Sequence, residues 1–584
     1  MPTDRSLLLK LYAVGILLAA VIPGPMLRSL GGGRYLLYRD AVSTPRSYVT
    51  DAALGVGGVP ARAVPQDWLL AVLTPVVDGG IVVIALTAVG LVLAGVGFGR
   101  LAARVVPGAG HAGACVAAVV AVWNPFVAER LLQGHWSLLV SYAALGWLIV
   151  AVLDRAGGWR DWAVLAALFA WAGFTPSGSI LGAVVAVMAV VASGVSGHRG
   201  LPIASAWVVG ALPWLVASLL GGATTTSSGA GVEAFGMRAE PGLGVLGTAA
   251  GLGGIWNADA VPGSRGVWWA SVATAAFVSV VVAGVVELWR HQRDSRVWAV
   301  FAGCAVAVLV AAAAAATGPG GSVLTWLVET VPGAGLLRDT QKYVALAVPF
   351  YAIAAGAATG ALRRWVPAGF AVAAGLLLVV APLPDLAWGV GGSIRTVALP
   401  ESFRQAARVI TADHGMVAIS PPGQIRRFSF TGTTSLDPLP RMVRASVVDA
   451  GALTVDDAAV DPPSGRGADV DAALRAGGDP RRLADLGVGW VVVEGGDIPE
   501  LLRTITPTMT HTDMTVIRIP GEIGDTGAGS GARAFAWVAH LLWLAAIVAG
   551  AVVAAGHHLG VRGTGALGGR AGGAPPGPAP GSAS

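Results

Sequence analysis

Charge is scarce in this chain: Asp, Glu, Lys and Arg make up 12% of its 584 residues, against about 25% in an ordinary soluble protein. Lysine is nearly missing, occurring only at Lys10 and Lys342, so the basic charge is almost all arginine. The arginines are spread through short connections rather than gathered on one surface, which leaves no basic face for nucleic acid. Cysteine is limited to Cys115 and Cys304. Both fall in apolar segments without ligand-spaced neighbours, so neither a structural disulfide nor a cysteine metal site is expected. Nucleotide and hydrolase signatures are absent too: there is no P-loop, no His-Glu-x-x-His and no Gly-x-Ser-x-Gly. Gly242, Gly244 and Gly247 have dinucleotide-loop spacing, but they follow Ala239-Glu240-Pro241 rather than a strand, so no such site is expected.

What the chain has instead is apolar sequence. It is 55% hydrophobic, with a mean hydropathy of +0.70. Runs of about 17–25 apolar residues recur, the length that crosses a bilayer. The expected fold is a polytopic α-helical membrane protein with about twelve transmembrane helices and a C-terminal extracytoplasmic α/β domain. Spans are expected near residues 7–22, 81–98, 112–126, 137–153, 162–174, 180–195, 201–220, 267–286, 297–317, 343–360, 366–386 and 534–556. No small-residue cleavage pattern follows the first, so it reads as a retained helix rather than a signal peptide. With the N-terminus inside, Arg100, Arg104, Arg290, Arg293, Arg296, Arg363 and Arg364 all fall in inner connections or adjoining helix ends, as the positive-inside rule favours.

The long polar pieces then lie outside. Residues 1–387 form the bundle, with outer loops 25–80, 221–266 and 318–342. Residues 388–533 alternate strand and helix patterns around the β-branched run Val491–Val493, which argues for a small α/β layer. A helix is expected over 498–505 within it, and His414 and His511 read as surface residues. Residues 534–556 are the last span. The Gly/Pro/Ala-rich 557–584 reads as a disordered cytoplasmic tail.

Three clusters could carry chemistry. Asp40 sits in the first outer loop after Tyr35-Leu36-Leu37-Tyr38-Arg39, whose aromatic residues would anchor it at the membrane surface. It reads either as a general base for a hydroxyl acceptor or as an acid paired with Arg39 or Arg34, or capping a short helix. Asp51 looks like a helix cap, and Asp67 adjoins Trp68, a residue type enriched at membrane interfaces. The second cluster places Asn124, Glu129, Arg130, Gln133 and His135 between two apolar segments. Ionisable groups there suggest function, or an interfacial Glu129–Arg130 pair with His135 as a cap. In the third, Arg338 and Lys342 are four apart and would share a helix face suited to a lipid-linked phosphate, or would simply snorkel beside Asp339.

A first helix, an early acid in a long outer loop, many spans and a C-terminal outer α/β domain together resemble the GT-C superfamily of membrane glycosyltransferases, which includes oligosaccharyltransferases and the actinobacterial arabinofuranosyltransferases. The stretches Asn124 to Trp136 and Leu337 to Tyr343 also look like segments of actinobacterial and archaeal membrane proteins related to it. The resemblance implies an outer-face transferase in the cell envelope that uses a polyprenyl-phosphate sugar donor and a glycan or lipid acceptor at the lipid bilayer. It implies Asp40 as catalytic base, Glu129 as a second acid and Arg338 at the donor phosphate; from the clusters themselves Lys342, Arg130, His135 and Asn124 are expected as further substrate-binding residues. Asp40 is flanked by Arg39 and Ala41 rather than by a second acid, and Glu129 lies in no Asp-x-Asp pattern, so a divalent cation is left open. The alternative from another class is a non-enzymatic protein assisting lipid or polysaccharide translocation; no internal repeat of the transporter kind is found.

Overall fold

The chain is described by a computed structural model covering residues 4–57, 63–154, 157–194, 200–221, 228–455, 458–525 and 527–564. Among these residues nine helices are long and apolar enough to cross a membrane. Each coincides with an expected span. Of the remaining three expected spans, all helical, two are too short for that measure and the third meets it only as a bent pair. Arg5–Val21 has 17 residues and Trp159–Ala172 has 14, while Ala368–Val380 and Pro384–Gly392 form a pair bent by 80°. The architecture is mostly helical, that of a multi-pass membrane protein, with a C-terminal strand-containing region. The last helix, Ser530–Thr564, continues through 557–564, where the tail was expected to be disordered. Residues 565–584 lie outside the described residues.

The span Pro107–Gln133 is interrupted at Trp123-Asn124. Asn124 caps the helix Pro125–Gln133: its Oδ1 accepts from the Val127 N–H at 3.0 Å, and its amide donates back to the Val120 and Ala121 carbonyls. Pro125 fits the first helical position, where its missing N–H costs nothing. Gly134 ends this helix at φ 85°. It is needed there twice. Only glycine adopts that backbone freely, and an added Cβ would meet the Ala41 and Asp40 amide nitrogens at 2.3 and 2.8 Å.

What presses on Gly134 is the first loop. Arg34–Tyr38 is a strand, antiparallel to Ala41–Val42 on one side and to Thr396–Ala398 on the other. Side chains alternate across a strand, and here both faces are buried. Leu36 and Tyr38 join the core of the bundle; Tyr35 and Leu37 join Phe403, Trp490 and Val492 in the C-terminal region. The strand is thus a layer between the two, and the tyrosines are buried rather than surface anchors.

In the C-terminal region the strand Val488–Glu494 is buried along its whole length. It pairs in parallel with Met416–Ser420 and antiparallel with Met514–Arg518. The helix Gly465–Ala476 covers one face and Glu401–Val409 the other. The helix expected over 498–505 is reduced to one 3₁₀ turn, Glu500–Leu502. His414 and His511 are partly buried, bonded to the Ile519 carbonyl and to Gln405 respectively. Asp51 is not the cap of its helix. Thr50 is, accepting from the Ala53 N–H, while Asp51 binds Arg533. Cys115 and Cys304 are both free.

Candidate functional site

Arg39 and Asp40 form the two-residue turn between the paired residues Tyr38 and Ala41. Such hairpins need φ > 0 at the first turn position. Arg39 supplies it at φ 49°, a conformation costing a side-chain-bearing residue about 1–2 kcal/mol. The surroundings hold it there. The Arg39 N–H donates to the Thr434 carbonyl, and its own carbonyl accepts from the Leu436 N–H. Its guanidinium donates to the carbonyls of Leu132 and Asp259. Strain held by so many partners is typical of functional positions, and here it aims Asp40.

Asp40 is about a third exposed, at 36%. Its Oδ2 accepts from His135 Nε2 at 2.9 Å and from the Gln133 amide at 3.3 Å. Among the described residues no hydrogen bond reaches Oδ1. Gln133 is itself oriented by Asn257, whose amide donates to Gln133 Oε1 at 2.7 Å. The other ring nitrogen of His135, Nδ1, lies 3.0 Å from the Arg130 guanidinium. Arginine only donates, so Nδ1 must accept, and the single ring proton sits on Nε2, facing Asp40. Burial pulls the His135 pKa down, and the charges of Arg130 and Lys342 add to this against the opposing pull of Asp40. The neutral tautomer follows from both arguments. For Asp40, burial pushes upward, but the hydrogen bonds from His135 and Gln133 and the charge of Lys342 outweigh it. The carboxylate is therefore ionised, with one oxygen free to accept a proton.

Behind His135 the polar chain runs inward. Arg130 is fully buried and grips Asp339 through two hydrogen bonds, at 2.9 and 3.1 Å, and Gln341 through a third. Burial raises the Asp339 pKa, but Arg130 and Lys342 reverse this and hold it well below the usual carboxylate range. Gln341 donates to Glu129 at 2.8 Å. The chain ends on Glu129, whose two oxygens also accept the Gly254 and Ile255 N–H groups at 3.0 and 3.1 Å.

The structure thus brings together Asp40, His135, Arg130 and Lys342. It places Glu129 beneath them, fully buried and saturated with donors, so Glu129 straps two loops together and does not face Asp40. Asn124 is a helix cap. Among the described residues Arg338 makes no hydrogen bond to these groups: it is bound through both terminal nitrogens to Asp461 and stacked on Phe235. The shared helix face expected for Arg338 and Lys342 does not form, because Arg338 closes the 3₁₀ turn Ala334–Leu337 and the non-helical Asp339 separates it from the 3₁₀ segment Thr340–Ala347 that carries Lys342. Lys342 turns instead toward Asp339, 3.6 Å away. Gly242, Gly244 and Gly247 lead into the short helix Gly244–Ala250 beside the buried Glu240–Arg265 pair.

Sequence reasoning missed Asp339, Gln341 and Asn257 as members of this network. Their signal was weak: polar residues in two loops, with partners more than a hundred positions away. Among the described residues no group of three or more His, Cys, Asp or Glu is arranged to hold a metal ion. Comparison with protein-family models, curated proteins and solved structures returned no match.

Proposed function

We propose that this chain is a membrane glycosyltransferase of the GT-C kind, moving a sugar from a polyprenyl-phosphate donor to a glycan or lipid acceptor in the cell envelope. The observation that carries the reading is Asp40: an ionised carboxylate on a strained hairpin tip, fixed by a neutral His135 and open at one oxygen. In the proposed step an acceptor hydroxyl attacks the anomeric carbon with inversion. The new carbon–oxygen bond forms as the bond to the donor phosphate breaks. Polyprenyl phosphate leaves with the bonding electrons, and Asp40 takes the hydroxyl proton. Lys342, whose charge already acts on Asp40, is the cation best placed to meet the leaving phosphate. Arg338 serves there only if it exchanges Asp461 for the donor. About twelve spans with both termini inside put Asp40, and residues 388–533 as an extracytoplasmic α/β domain, on the outer face.

The test is a transfer assay in membranes with a radiolabelled polyprenyl-phosphate sugar. Asp40→Asn keeps the shape and removes the base, so it should lose about a hundred- to ten-thousandfold in rate. Full activity in that variant overturns the assignment of Asp40.

A further inference from the structure

At the end of the bundle opposite Asp40 lies a cavity of about 480 Å³. That is within the range of small-molecule sites. It forms where the turn Pro107–Ala109 meets the ends of the helices Trp269–Gln292 and Val348–Leu362. Its wall carries charges of both signs: Arg363 and Arg364 on one side, Glu287 with His291 and Gln292 on the other. The groups are already ordered. Arg363 donates to the Ala109 carbonyl at 3.0 Å, lying over the bare Cα of Gly110. Glu287 holds Arg364, and His291 approaches Glu287 at 3.2 Å.

Three features identify the chemistry of an occupant. Guanidinium groups match phosphate in geometry and charge. Two helix C-termini add partial negative charge beside Glu287, which suits hydrogen-bond donors rather than a second anionic group. Trp289 and Trp365, next in sequence to the lining residues Leu288 and Arg364, are 66% and 85% exposed, and tryptophans outside a bundle mark the headgroup level of a bilayer. We infer that this cavity holds a phospholipid headgroup, a phosphodiester followed by hydroxyl donors, with Arg363 and Arg364 on the phosphate and Glu287 and Gln292 on the donors. Basic pockets between spans take lipid headgroups for the same electrostatic reason. The site is independent of the transferase reading; in the proposed orientation it faces the inner leaflet.

Gly108 makes the inference testable. It lines the cavity, and a Cβ built on it meets no atom within 4 Å, so Gly108→Trp fills the space without a clash at its base. The full chain, purified in detergent, is incubated with phosphatidylglycerol or phosphatidylcholine, and retained lipid is counted by native mass spectrometry. Phosphatidylglycerol should be retained over phosphatidylcholine, whose headgroup has no donor. Retention should fall at least about tenfold in Gly108→Trp and in the double variant Arg363→Ala/Arg364→Ala, with thermal unfolding of Gly108→Trp unchanged. Equal retention of the two lipids, or undiminished phosphatidylglycerol on a folded Gly108→Trp protein, overturns the inference. Displacement of the lipid by millimolar inorganic phosphate overturns the lipid assignment and gives the site to free phosphate.

Discussion

Replacing Arg130 by leucine removes a guanidinium that is fully buried and makes four hydrogen bonds, to both oxygens of Asp339, to Gln341 and to His135. Asp339, with its side chain 5% exposed, is left as a buried charge whose remaining cation, Lys342, lies 3.6 Å away. Breaking one side of a buried ion pair costs about 3–5 kcal/mol, and Lys342 should keep the cost toward the lower end. Replacing Asp339 by leucine as well removes the stranded charge, so the double variant should recover part of the loss. The sign with pH also follows. The folded-state pKa of Asp339 is depressed, so its stabilising contribution is present above its unfolded value of about 4 and is lost as pH falls through the folded value. In Arg130→Leu that loss should begin at higher pH. The assay is denaturant unfolding in detergent at pH 4 to 8 for the two single variants and the double. A cost below about 1 kcal/mol for Arg130→Leu, or no coupling between the two sites, would refute the claim that this pair organises the cluster.

Cysteine labelling tests the proposed sidedness: with Cys115 and Cys304 removed, Ser393→Cys should react with an impermeant reagent from outside, and Ser582→Cys only after permeabilisation. The reverse pattern would move Asp40 to the inner face. Trp490→Asp puts a charge at a position 4% exposed, where the indole donates to the Thr411 carbonyl. It should destabilise the strand-containing region by roughly several kcal/mol, read as increased protease cutting within 394–520; an unchanged pattern would count against a buried strand there.

Nine of the expected spans were legible because the bilayer demands long apolar runs, and composition alone reports these. Strand Val488–Glu494 was legible for a similar reason: an unbroken β-branched run marks burial on both faces. The first loop was not. Tyr35-Leu36-Leu37-Tyr38 shows no alternation, since one face packs on the bundle and the other on the C-terminal region, so nothing in the pattern announced a strand. Its partner, Thr396–Ala398, lies about 360 residues away, beyond any local signal. Asp40, Arg130 and His135 could be singled out as polar residues at membrane level, but not their bonding. The expected common helix face of Arg338 and Lys342 was misread because the four-residue spacing presumes one continuous helix, whereas a non-helical Asp339 divides two 3₁₀ pieces there.

The unread parts share a physical origin. Asp40 owes its position to contacts from four separate pieces of chain: the strained Arg39 turn, Gly134 and His135 after the capped helix, Asn257 behind Gln133, and the Asp339–Lys342 segment behind Arg130. None of these specifies the site alone. Gly134 permits the approach, and the Arg130 guanidinium fixes the His135 tautomer. Asp339 compensates the Arg130 charge, and the Glu129 strap ties the loop carrying Gly254 to the same helix. A hydrogen-bonded chain of this kind is worth most when every member is satisfied, because each unpaired group in a low-dielectric interior costs more than its bond contributed. Yet it leaves one acceptor, Asp40 Oδ1, open. Among the described residues of this hydrogen-bonded chain Arg130 Nε also stays without a partner, but it is buried; Asp40 Oδ1 is the open atom at the solvent-facing end, and the proposed function rests on it.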